Sequence, residues 1–170
     1  MLDLDSGNLF EGLIKLIEEW NPKKYSNEKE YQQALYKYLK DLQENGKIKK
    51  ERTIRTEAGE TRADLRVSNV VIELKKKLDT KPHRDRAENQ IRLMLKEFDY
   101  VIVVIVGNDH NREAIDIFKH HLKDFNKENN FMSSEKKIKV IEISKNKSKK
   151  IDKKQKDPFG LNLESFDNIF

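Results

Sequence analysis

Asp64, Glu73 and Lys75 are the residues of this 170-residue chain whose types and spacing could do chemistry. They lie in the stretch Arg62 to Lys77, where β-branched residues flank the turn formers Ser68 and Asn69. That pattern predicts two short strands joined by a tight turn. Side chains alternate faces along a strand, so Val71, Glu73 and Lys75 share one face of the second strand while Ile72 and Leu74 share the other. A carboxylate and an amine thus stand side by side. Asp64 lies on the preceding strand, and a hairpin that splays at its open end brings the two carboxylates to one point. The expected chemistry is a divalent-metal site with a lysine beside it.

These residues need elements to hold them. Residues 8–20 read as a first helix, with Leu9, Phe10, Leu13, Ile14, Leu16, Ile17 and Trp20 on one broad apolar face, ended by Asn21-Pro22. A second helix is expected from an N-cap at Ser26 to Asn45-Gly46, with Tyr31, Leu35, Tyr38, Leu39 and Leu42 as its stripe. At 100° per residue Glu28 falls about 20° from Leu35, on the core side, whereas Glu30 falls about 140° away, toward solvent. Glu28 is the odd acid of the pair. Lys47 to Thr56 alternates Ile48 and Ile54 with charges and reads as a half-exposed strand, with 57–60 as its turn.

After the hairpin, Pro82 suits the first turn of a third helix, striped by Ala87, Ile91, Met94, Leu95 and Phe98, with Gln90 on the flank. Tyr100 to Val106 is the most apolar run, expected to be a strand covered on both faces. A fourth helix from about Asn111 to Phe125, a loop and a last strand over 138–143 complete the sheet. His120 and His121, adjacent on that helix, point about 100° apart and are not expected to share an ion.

The constellation Asp64, then Glu73-Leu74-Lys75, resembles the PD-(D/E)XK nuclease superfamily, with Ala63-Asp64 standing where that family has Pro-Asp. The resemblance covers roughly residues 26–143. It implies an α/β protein with a restriction-endonuclease-like mixed sheet flanked by helices, in the order α-α-β-β-β-α-β-α-β. It also implies a nuclease, with a DNA endonuclease as the first expectation, using Mg²⁺ or Mn²⁺. By resemblance the metal ligands are Asp64, Glu73 and the Leu74 backbone carbonyl, with Glu28 as the family's first-helix acid, a possible further ligand. Lys75 orients or deprotonates the attacking water, and Gln90 looks like the family's glutamine that reaches back to the site. The basic residues beside the motif, Lys76, Lys77, Arg84 and Arg86, are the expected nucleic-acid contacts, with His83 a further candidate. The alternative from the same fold is a non-catalytic nucleic-acid-binding or protein-interaction member.

Composition bounds these expectations. One domain over 1–144 is expected, large enough to bury roughly two-thirds of its unfolded surface. Charged residues make up 38% and mean hydropathy is −0.88, the balance of a soluble chain, and no apolar run approaches the ~20 residues of a membrane span. The chain has no cysteine, which excludes a thiolate zinc site and suits the cytoplasm. Of the net charge of +5, residues 144–170 contribute seven lysines against four acids, a net +3, leaving +2 for the body. Any nucleic-acid footprint must therefore come from local clusters, 47–55 and 75–86.

The tail, 145–170, is lysine-rich and then acidic-aromatic. Its end carries enough large apolar residues to dock on the body or bind a protein partner. Homodimerisation is expected of an enzyme that cuts two strands, because two cuts need two sites. No repeat, phosphate-binding glycine loop or serine or cysteine nucleophile elbow is present.

Overall fold

The apolar run at Tyr100 to Val106 forms the strand on which both layers of the molecule are built. The computed structural model describes residues 6–58, 63–107, 111–129 and 137–143. In chain order these give α1 (Ser6–Glu19), α2 (Glu28–Glu44), β1 (Ile54–Ala58), β2 (Ala63–Val67), β3 (Val70–Lys75), α3 (Lys81–Glu97), β4 (Tyr100–Val106), α4 (Arg112–Asn129) and β5 (Lys137–Ile143). The protein is α/β, with a five-stranded mixed sheet flanked by helices. The strands lie in the order β1-β2-β3-β4-β5. β1, β2 and β3 pair antiparallel, and β3, β4 and β5 pair parallel.

Each face of the sheet has its own apolar layer. On one side α1 and α2 bring Leu9, Leu13, Ile17, Leu35 and Leu39 against Leu65, Val67, Ile72, Leu74, Ile102 and Val104. On the other, α3 and α4 bring Ala87, Ile91, Met94, Phe118 and Leu122 against Val71, Val101, Val103 and Ile105. Successive residues of β4 feed opposite layers, which is why its sequence is apolar without alternation. No helix among the described residues is long and apolar enough to cross a membrane.

Two local expectations are corrected. Residues 47–53 do not form the first half of a strand; β1 begins at Ile54 and runs through Ala58, which pairs with Ala63. The buried Gln43 amide donates to the carbonyls of Lys49 at 3.1 Å, Lys50 at 3.3 Å and Arg52 at 2.7 Å. One side chain thereby collects acceptors that a strand would offer to a neighbour, and the segment turns instead. Ile48 is buried in the α1–α2 layer from this loop, so its apolar character reflects packing rather than a strand period.

The second correction concerns the start of α2, where the N-cap is Asn27 rather than Ser26. Asn27 Oδ1 accepts from the Glu30 N–H at 2.9 Å, and the Glu30 carboxylate accepts from the Ser26 N–H at 2.8 Å. This reciprocal cap occupies Glu30 on the outer side of the helix and leaves Glu28 on the inner side. The tail expectations for 145–170 lie outside the described residues.

Candidate active site

The β2–β3 ladder pairs Val67 with Val70, Arg66 with Val71 and Leu65 with Ile72. One step further, where Asp64 meets Glu73, side chains take over from the main-chain pairing. Asp64 Oδ2 accepts from the Leu74 N–H at 2.7 Å, and Glu73 Oε2 accepts from the Asp64 N–H at 3.3 Å. The two carboxylates thus sit in the mouth of the splayed hairpin. Leu65 and Val67 face the α1–α2 layer, so Asp64 and Arg66 face the other side of β2, the side of Glu73 and Lys75 on β3.

Lys75 is held from three directions. Its ammonium donates to Glu73 Oε1 at 2.5 Å and to Gln90 Oε1 of α3 at 3.1 Å, and lies 3.9 Å from Glu28 Oε1 of α2. The lysine side chain is 12% exposed and that of Glu73 only 1%, so their contact is screened little by water. Glu28 also accepts from the Lys76 N–H at 2.8 Å, tying α2 to the strand just beyond the motif. Elements from both layers therefore meet at the open end of one hairpin.

The electrostatics follow from that crowding. Burial, and then the neighbouring Asp64 charge, push the Glu73 carboxyl up to about 7 against the pull of Lys75. Burial draws the Lys75 ammonium down, but Glu73 and Glu28, with Asp64, outweigh it and hold its pKa above the ordinary lysine value. A lysine so held keeps its proton, and its role at this site is that of a positioned positive charge and hydrogen-bond donor.

The donor set fits a hard divalent cation. Two carboxylates are forced together where burial already disfavours the charge of Glu73, and a cation would relieve that cost. In an extended strand the N–H and C=O of one residue point to the same side, so the Leu74 carbonyl faces Asp64 as its N–H does. Asp64, Glu73 and the Leu74 carbonyl are the groups that would hold an ion. Glu28, engaged with Lys75 and Lys76, stands on the other side of the lysine. Among the described residues no three carboxylate or imidazole side chains cluster as a metal site, so the set is a carboxylate pair completed by backbone.

The flanking basic residues divide. Arg84 donates to the Leu78 and Asp79 carbonyls, and Lys76 Nζ donates to the Ser26 carbonyl, so both brace the loops around the site. Lys77, His83 and Arg86 are exposed and present their polar groups to solvent. His120 faces Asp124 at 3.2 Å while His121 faces Glu88 at 2.8 Å, and the two imidazoles do not converge.

One residue was missed by reading the sequence alone. Gln32 is 8% exposed and its Nε2 donates to the Asp64 carbonyl at 2.6 Å, pinning the backbone under the first carboxylate. It stands one helical turn after Glu28 on the same face of α2, and that i, i+4 spacing was the available signal. Comparison with protein-family models, with curated proteins and with solved structures finds no match.

Proposed function

We propose that this protein is a divalent-metal-dependent nuclease of the restriction-endonuclease-like fold, hydrolysing phosphodiester bonds of DNA endonucleolytically. The observation that supports this reading is the convergence of Asp64, Glu73 and Lys75 at the open end of one hairpin, with Glu28 from α2 and Gln90 from α3 closing around the lysine. A phosphodiester resists attack because its charge repels the nucleophile and its leaving alkoxide is poor. A bound Mg²⁺ or Mn²⁺ supplies charge neutralisation and activation of water.

The chain's own residues do the rest. Asp64 and Glu73 place the carboxylate oxygens, and Gln32 keeps the Asp64 backbone from shifting. Lys75 directs an N–H toward the attacking water and offsets negative charge building on the phosphate. Glu28 and Gln90 fix the lysine rotamer, which otherwise turns about four bonds. The exposed Lys77 and Arg86 steer the polyanion to the site. A homodimer would place two such sites on the two strands of a duplex, and the cysteine-free composition suits a cytoplasmic enzyme.

A second reading has one observation in its favour. The carboxylates of Asp64 and Glu73 already accept hydrogen bonds from Leu74, Lys75 and Asp64 itself, which is how a purely structural ion cluster in a non-catalytic nucleic-acid-binding protein would look.

Purified full chain, incubated with Mg²⁺ or Mn²⁺, separates the two on a panel of supercoiled, linear, single-stranded, flap and four-way-junction DNA plus structured RNA, beside Glu73→Ala. The nuclease reading expects cleavage of at least one DNA, reduced by about 100-fold or more in the variant. No cleavage of any substrate, together with no heat of Mn²⁺ binding, would sink it in favour of the structural cluster.

A further inference from the structure

The other end of the same hairpin holds a second unusual arrangement. Arg55 of β1 and Arg66 of β2 are direct cross-strand partners. Like charges in that position repel. Neither guanidinium has a carboxylate partner among the described residues. Arg66 is instead locked by neutral groups: its Nε donates to the Ser68 carbonyl, and its Cζ lies 5.0 Å from the centre of the Phe98 ring. The Nη groups of both arginines are left without protein acceptors among the described residues. The two arginines line a pocket of about 300 Å³ completed by Thr53, Ser68 and Asn69. Ser68, whose carbonyl fixes Arg66, adopts φ 53°, a conformation that a residue with a Cβ rarely takes and that the turn here enforces.

We infer that this pocket binds a phosphate group, with Arg55 and Arg66 as paired donors and the Thr53 and Ser68 hydroxyls and the Asn69 amide around them. Two arginines lining one pocket can offer the bidentate geometry that phosphate oxygens accept, and an anion between them converts repulsion into attraction. The phosphate belongs to a polynucleotide backbone. Arg66 stands two residues from Asp64 on the same face of β2, roughly 7 Å along the strand. A nucleic-acid strand presents a phosphate every ~3.4 Å of duplex axis, so a strand passing Asp64 and Glu73 meets the pocket about two nucleotides away. The choice of a polynucleotide over a free anion rests on the nuclease reading of the Asp64 end; the phosphate chemistry does not.

The test uses the full chain in EDTA, where no cleavage occurs, and a short fluorescein-labelled DNA duplex followed by fluorescence anisotropy across a salt series. The paired variant Arg55→Gln with Arg66→Gln is expected to weaken binding about tenfold and to lower the slope of log affinity against log salt by about 1. Asn69→Asp places a counter-charge in the pocket while leaving both arginines. It is expected to weaken duplex binding in the same direction and to raise the melting temperature at low salt, so the inference stays testable if the double variant does not fold.

Unchanged duplex affinity and slope in a folded double variant, or in Asn69→Asp, together with no saturable binding of inorganic phosphate by the wild type, would overturn the pocket. A titration with inorganic phosphate supplies the other arm: saturable binding lost in the variants, with duplex affinity unmoved, would overturn the polynucleotide as its source. The readout is also independent of catalysis. Duplex bound through Arg55 and Arg66 by a protein that cuts nothing supports the pocket while the nuclease reading fails, and cleavage with duplex and phosphate binding both unaltered in the variants overturns the pocket alone.

Discussion

At the open end of the β2–β3 hairpin two carboxylates, Asp64 and Glu73, share their surroundings with Lys75. At the turn end Arg55 and Arg66 are cross-strand partners, and neither has a carboxylate partner among the described residues. Like charges are crowded at both ends of one small ribbon, yet the compensation differs. The open end carries its counter-charge within the fold, supplied by the same strand and braced by α2 and α3. The turn end carries neutral supports, an aromatic face and a backbone carbonyl, that orient a charge without neutralising it. The difference is that one end carries part of its counter-charge within the fold, whereas the other has none from the described residues.

The sharpest way to break the comparison is to remove the internal counter-charge. Lys75→Met leaves the buried Glu73 beside Asp64 with no cation, and urea unfolding in alkaline buffer should show a loss of about 3–5 kcal/mol. Arg66→Met at the turn end should cost far less, because no buried partner is orphaned there. Equal losses would mean that the two ends are not different in kind.

The next effect is a pH dependence confined to the open end. The folded pKa of Glu73 is raised from 4.5 to about 7, so the folded state holds that proton more tightly than the unfolded chain. The contribution to stability is fully present below the unfolded value and is lost as pH rises through about 7, a change of about 3 kcal/mol without divalent ion. Subtracting the stability profile of Glu73→Gln from that of the wild type isolates this fall. A flat difference would show that burial and Asp64 do not act on Glu73 as described.

Positioning residues should give smaller effects. Gln32→Ala leaves the Asp64 carbonyl without its 2.6 Å donor and should cost about 1–2 kcal/mol in chemical unfolding, with weaker divalent-ion binding by calorimetry. Glu28→Ala should reduce cleavage more than Glu30→Ala, whose loss of the helix cap should cost about 1 kcal/mol in stability with cleavage largely retained. The reverse order in a plasmid-nicking assay would contradict the placement of the two acids. Smallest of all, Ser68→Gly relieves the positive φ at the turn. It should raise stability by about 0.5 kcal/mol, read as a small upward shift in melting temperature.

Much of this arrangement is legible in the sequence where short-range geometry decides it. The turn at Ser68-Asn69, the two-residue alternation that puts Glu73 with Lys75, and the doubly covered Tyr100 to Val106 strand all follow from local chemistry and period. So does the inward placing of Glu28 relative to Glu30, which needs only the helical repeat. The loop at 47–53 misleads because its alternation of Ile48 and Ile54 imitates a strand, while the group that bends it, Gln43, is a distant amide whose direction no local pattern records.

The sequence by itself determined which faces each element would bury and which residue types would stand at the hairpin, because backbone periodicity is a local property. Only the tertiary structure decided that Gln32 reaches the Asp64 carbonyl, that Gln90 and Glu28 close on Lys75 from opposite layers, and that Arg55 lies opposite Arg66. These depend on strand register and on how helices from both faces dock. A one-residue slip or a small shift of a helix would exchange every such partner while leaving each local pattern intact.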